Sequence, residues 1–146
     1  MSEEIFKITA TWDSAGKKGT LVNGDGSLKI PHGGASSLGG GHGIPNPEEL
    51  LLAAVSACFV QTWAIFLSKL TVPIEAPVLE GSCELEKDPA GGYRLTKLDL
   101  APHVPAALWQ SRREDVEKTL SLAVRYCIVS KAVKASIIFT VTPKPV

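Results

Sequence analysis

The sequence has few cysteines, no excess of charge of either sign and no arginine before Arg94. Its 3 cysteines, Cys58, Cys83 and Cys127, form no Cys-x-x-Cys pair and are too few for the disulfide framework of a small secreted domain. With 15 basic and 15 acidic residues the formal net charge is zero, which leaves no electrostatic footprint for nucleic acid or an anionic membrane. The histidines, His32, His42 and His103, stand at no ligand spacing with a cysteine or with one another, so no metal site is expected, and His32 and His42 read as solvated loop residues. There is no Gly-x-Ser-x-Gly elbow for a serine hydrolase. The glycine-rich run from Gly33 to Gly43 lacks both the Gly-Lys-Ser/Thr ending of a phosphate loop and the dinucleotide spacing, so it reads as a mobile loop and no cofactor is expected. The start, Met-Ser-Glu-Glu-Ile-Phe-Lys, is acidic and has no export signal pattern, so a cytoplasmic location is expected.

What remains is a chain of 146 residues, 45% of them hydrophobic, enough for a single domain over residues 1–146 with a core of its own. Residues 5–12 alternate apolar and polar with β-branched and aromatic members, and Thr20-Leu-Val and Ser27-Leu-Lys-Ile continue the pattern across Asn23-Gly-Asp-Gly, predicting a β-hairpin or meander. Asn46, Pro47 and Glu49 then make a helix start, with a capping side chain, a first-turn proline and the capping-box carboxylate. From Leu50 to Leu67 the run is apolar nearly all round, broken by Ser56, Gln61 and Thr62, and predicts a central buried helix. Its length approaches a bilayer span, but the polar breaks and the lack of a second such segment argue against a membrane role.

Beyond Pro77, two strand-like stretches flank the turn at Asp88-Pro-Ala-Gly-Gly and should pair as a hairpin. A second helix is expected with Ser111 as cap and Glu114 completing the box, its buried face marked by Val116, Leu120, Ala123, Val124 and Cys127. A short helical or turn segment near Ser130 and a last strand over 136–142 follow. The order defines an α+β fold. By residue type alone each cysteine reads as a small core hydrophobe, and Cys83, alternating with Leu79 and Leu85 on a strand, keeps that reading.

The surroundings of the other two differ. Asn46-Pro-Glu-Glu-Leu opens the apolar helix, Ala57-Cys58-Phe59 follows within it, and Tyr126-Cys-Ile-Val-Ser130 carries the second cysteine. With Thr9-Ala-Thr11, Gly16–Gly19 and the glycine run, this resembles the OsmC-like family, which includes the organic hydroperoxide resistance proteins, over about the whole chain from Lys7. The resemblance implies antiparallel sheets around two central buried helices, an intertwined homodimer, and thiol-dependent reduction of organic, lipid-like hydroperoxides. Cys58 would then be the peroxidatic thiolate and Cys127 the resolving thiol, with their disulfide reopened by a dithiol or a lipoyl protein. The family places an arginine of the N-terminal loop beside the thiolate, held by the glutamate of the Asn-Pro-Glu motif. Here Glu48 is that glutamate and Lys17, with Lys18 beside it, stands where the arginine is expected. Where family members often carry proline after the second cysteine, this chain has Ile128.

At ~1.5 Å rise per residue, Glu48 lies about 15 Å along one helix from Cys58, too far for contact, so a site using both draws them from two chains of an isologous dimer. By itself Glu48 is also a first-turn carboxylate that favours the helix dipole. Phe59, Trp63 and Phe66 are candidates for lining a peroxide route, with core packing the plainer role. The alternative function is a non-catalytic dimer on the same fold that binds a small apolar ligand or senses peroxide.

Overall fold

The computed structural model describes residues 3–41 and 43–146; the reading of His42 as a solvated loop residue lies outside the described residues, as do Met1 and Ser2. The chain divides into two compact units, Met1–Leu50 and Leu51–Val146.

In the first unit, β1 (Ile8–Asp13), β2 (Lys18–Asn23) and β3 (Lys29–His32) form an antiparallel meander, the expected hairpin theme starting at Ile8. Gly19 pairs with both neighbours, Trp12 and His32. A Cβ on Gly19 would collide with the Thr11 carbonyl oxygen and lie 2.6 Å from His32 Nε2. The described part of the glycine run, expected as a mobile loop, contains a 3-10 turn at Ser36–Leu38 closed by Gly39 in the left-handed region (φ 86). It is held by Gly40 N–H to Ala35 O and Gly33 N–H to Pro45 O, each 3.0 Å.

The predicted capping box is present where α1 (Pro47–Lys69) begins. Asn46 Oδ1 accepts from Glu49 N–H at 2.8 Å, while Glu49 Oε1 accepts from the Asn46 side-chain amide at 2.5 Å. The long α1 buries Val55, Phe59, Trp63 and Leu67, one stripe at i, i+4, i+8 and i+12, and leaves Ala53, Ala54, Ala57 and Ile65 exposed. Within one chain, therefore, α1 is buried on one face and not all round.

The second unit holds the core. β4 (Leu79–Lys87) and β5 (Tyr93–Val104) are the predicted hairpin, antiparallel with an irregularity between Glu84 and Leu85. The expectation of antiparallel sheets fails at the next pairing: β6 (Ile138–Val141) and the short β7 (Lys144–Pro145) both run parallel to β5. The reason is the return path. The chain leaves the end of β5, passes through α2 (Ala106–Ser111), α3 (Arg113–Tyr126) and α4 (Ile128–Val133), and re-enters the sheet in the same direction, as crossover connections do.

The predicted capping box at Ser111 is also absent. Ser111 is the last residue of α2, which Pro105 precedes, and Arg112 stands at the N-cap of α3 without a side-chain cap. Arg112 instead binds Asp115 Oδ2 through Nε and the Thr71 carbonyl through an Nη1–H, both at 2.9 Å. Asp115 still places negative charge in the first turn of α3, where the helix dipole favours it. The expected buried face holds for Val116, Leu120, Ala123 and Cys127, while Val124 is half-buried.

One buried chain of hydrogen bonds fixes α1 against α3. Trp63 Nε1–H donates to Thr119 Oγ1 at 3.0 Å, and the Thr119 hydroxyl donates to the Val116 carbonyl at 2.6 Å. Both side chains are fully buried, so the indole N–H has no water to fall back on. Phe59 and Trp63 are thus core residues, as the plainer reading had them. Phe66 is half-buried, with its ring 5.5 Å from that of Tyr126.

Candidate active site

Cys58 sits in the middle of α1, half-buried, beside the stripe that packs into the core. Cys127 is fully buried, but it is not inside a helix: it is the joint where α3 ends and α4 begins, with φ −66 and ψ 110. That extended joint interrupts the helical hydrogen bonding and starts a new set of first-turn N–H groups in α4. Those of Ile128 and Val129, which have no helical acceptor of their own, point at the Cys58 sulfur. The structure therefore brings together two cysteines 69 positions apart in sequence (127 − 58), both as free thiols.

Their electrostatics are unequal. Burial, the largest single influence, pushes the Cys58 thiol up. The Val129 N–H, the Cys127 thiol, the Ile128 N–H and the Thr62 hydroxyl each favour the thiolate, and together they bring Cys58 below its ordinary value. Cys127 is shifted the other way. Burial dominates; donating its proton to Cys58 and facing that negative charge raise it further, against opposing bonds from the Ser130 hydroxyl and N–H. When the pair loses one proton, the favoured arrangement is therefore a Cys58 thiolate accepting a hydrogen bond from a Cys127 thiol. Thiolate character is what makes a cysteine a nucleophile.

The other two expected site residues belong to the first unit. Lys17 lies in the turn between β1 and β2 with φ 51, a left-handed backbone uncommon for a residue with a side chain. Glu48 lies in the first turn of α1, and its Oε2 is buried with no hydrogen-bond partner among the described residues. Among the described residues no ion pair joins Glu48 to Lys17. Cys83, half-buried on β4 opposite Leu98, packs against the core as expected of an inward-facing strand residue.

The sequence reasoning missed four contributors: Thr62, Ser130 and the N–H groups of Ile128 and Val129. A backbone N–H carries no side-chain signal, but a non-proline residue at 128 was the visible trace of one of them.

The family model for OsmC-like proteins matches residues 39–142, more than half of the chain, and the chain belongs to that family, which embraces the organic hydroperoxide resistance proteins. It is similar to organic hydroperoxide resistance protein-like 2 of Staphylococcus epidermidis, 27% identical over 139 residues and covering 94% of each chain. Among solved structures, the organic hydroperoxide resistance protein OsmC of Legionella pneumophila superposes with a TM-score of 0.82 at 22% identity over 99% of both chains. OhrB of Bacillus subtilis gives 0.75 at 24% identity, covering 98% of this chain and 100% of that one. At such identities the two structures establish the fold alone.

Proposed function

We propose that this protein is a thiol-dependent peroxidase that reduces organic hydroperoxides. The observation that carries the reading is the opposed perturbation of two cysteines brought together by the fold: Cys58 is shifted below its ordinary value and Cys127 above its own, so Cys58 is the first of the pair to ionise, beside the Cys127 thiol that donates to it. The Cys58 thiolate attacks one peroxide oxygen. The O–O bond breaks, the alkoxide takes a proton and leaves as the alcohol, and Cys58 becomes a sulfenic acid. The Cys127 sulfur then attacks Cys58, an S–S bond forms and the sulfenic oxygen departs as water. An external dithiol, or a lipoyl protein, returns two electrons and two protons and restores both thiols.

In this reading the working unit is a cytoplasmic homodimer. One feature supports a second copy: the exposed apolar face of α1, with Ile65 53% exposed. Glu48 is assigned the orienting carboxylate and Lys17 the cation, which can act on a thiolate only as a point charge and without the planar fork of arginine. Sedimentation at micromolar concentration tests the dimer, which a monomer there rules out.

The enzyme reading is tested with tert-butyl or cumene hydroperoxide and an excess of dithiol, comparing wild type with Cys58→Ser and Cys127→Ser. Repeated turnover by wild type that vanishes in Cys58→Ser is expected. No turnover, with both thiols still free after peroxide, ends the peroxidase reading and leaves a ligand-binding role.

A further inference from the structure

Thr62 is a polar break in the apolar surface of α1, one turn beyond Cys58, and its hydroxyl donates to the Cys58 carbonyl at 2.8 Å. A back-bonded threonine inside a helix brings no stability and slightly disfavours it, so packing does not account for the hydroxyl. The carbonyl does not need it either. Inside α1 that oxygen is in line for the Thr62 N–H by ordinary i to i−4 pairing, so the hydroxyl can leave without orphaning a buried acceptor. A β-branched side chain holds Oγ1 in place, and only the proton must swing about the Cβ–Oγ bond.

We propose that Thr62 is a positioning residue for Cys58: its single hydroxyl proton rests on the Cys58 carbonyl while the sulfur is protonated and turns onto the sulfur when the thiolate forms. The inference rests on Cys58 being the reactive thiol. Among the described residues, the titratable group facing Cys58 is the Cys127 thiol at the α3–α4 joint, and the Ile128 and Val129 N–H groups are fixed in the backbone. Thr62 is the one donor in the set that can change acceptor without giving up its proton. Cys127 cannot, because it must become the attacking sulfur in the second step. Lowering of the Cys58 pKa by the Thr62 hydroxyl agrees with this arrangement.

The test compares Thr62→Val, which removes the hydroxyl at nearly constant shape, with Thr62→Ser, which keeps it. The rate of iodoacetamide alkylation at Cys58 is followed from pH 5 to pH 10 on the Cys58 peptide by mass spectrometry. The valine variant is expected to move the inflection to higher pH, with a rate about twofold lower on the acid side and a higher plateau, since a less stabilised thiolate is the better nucleophile. The serine variant is expected to follow wild type. A valine profile that overlays wild type, or a serine profile that follows valine, overturns the proposal. If Thr62→Val loses the cooperative melt, Thr62→Ala is read in the same way. Alkylation needs no peroxide, so an absent peroxidase activity with a shifted profile would remove the proposed function and leave the Thr62 assignment standing.

Discussion

Replacing Ile128 with proline isolates one hydrogen bond to the candidate nucleophile. Ile128 is 74% exposed, so its side chain contributes little. It is the first residue of α4, where proline's fixed φ and missing N–H are tolerated. The preceding residue, Cys127, already has ψ 110, near the extended region that a following proline demands. The N–H removed donates to the Cys58 sulfur. The fold should therefore accept the change, with stability unchanged or raised by about 0.4–1 kcal/mol through the unfolded chain.

The effect on Cys58 is larger. A hydrogen bond to a charged group contributes about 1.5–3 kcal/mol net. Cys58 is half exposed and water replaces part of that, so about 1 kcal/mol remains, roughly a fivefold fall in thiolate population on the acid side. Nucleophilicity recovers nearly half of the logarithm, so alkylation should slow about 2.5-fold below the inflection and quicken about twofold on the plateau. The sign is fixed: a thiol held below its ordinary value by donors must titrate at higher pH when a donor goes. Crossing rate profiles in Ile128→Pro, with an intact thermal transition, are the expected result. An unmoved inflection refutes the role of the N–H, and a collapse of the melt refutes the geometry given for the α3–α4 joint.

Thr119→Val should leave the buried Trp63 N–H without an acceptor and destabilise the fold by about 1–3 kcal/mol in urea unfolding, and adding Trp63→Phe should recover part of that loss; a neutral single variant contradicts the α1–α3 lock. Gly19→Ala forces a methyl group against the Thr11 carbonyl and should lower stability by about 1–3 kcal/mol, so an unchanged melting temperature would place β2 differently. Glu80 accepts from Lys144 at 2.7 Å and His103 at 2.9 Å, and its carboxyl is pulled down to about 2, chiefly by Lys144. A depressed carboxylate keeps its charge, and the tie from β4 to β7, until pH falls to about that value; Lys144→Met should raise the carbon-detected NMR titration of Glu80 toward the ordinary carboxylate range. Cys127→Ala removes a donor from Cys58 and should slow its alkylation on the acid side by about twofold, a change that an unmoved rate would rule out.

The capping box at Asn46 and Glu49 was legible because every bond in it spans three residues and needs no distant partner. Ser111 and Glu114 satisfy the same pattern, yet Ser111 is drawn into α2, because a cap exists only where the preceding residues are not already helical. The parallel pairing of β5 with β6 depends on where three helices return the chain, which no window of residues contains. For the same reason the meeting of Cys58 with Cys127 was readable only through family resemblance, and the donors around Cys58 only through the structure. The faces of α1 were hidden for another reason. Periodicity locates a buried face by contrast with a polar one, and α1 offers almost no such contrast. What separates its faces is size: Val55, Phe59, Trp63 and Leu67 turn into the core, while Ala53, Ala57 and Gln61 turn out with Ile65. Large side chains at i, i+4, i+8 and i+12 fill the core on one side, and the alanines opposite leave a shallow surface on which another backbone can approach closely. In an apolar helix, then, volume at helical spacing is the pattern that orients the chain, and it puts Cys58 at the border between the two faces, where a sulfur can be held by buried donors and still be reached.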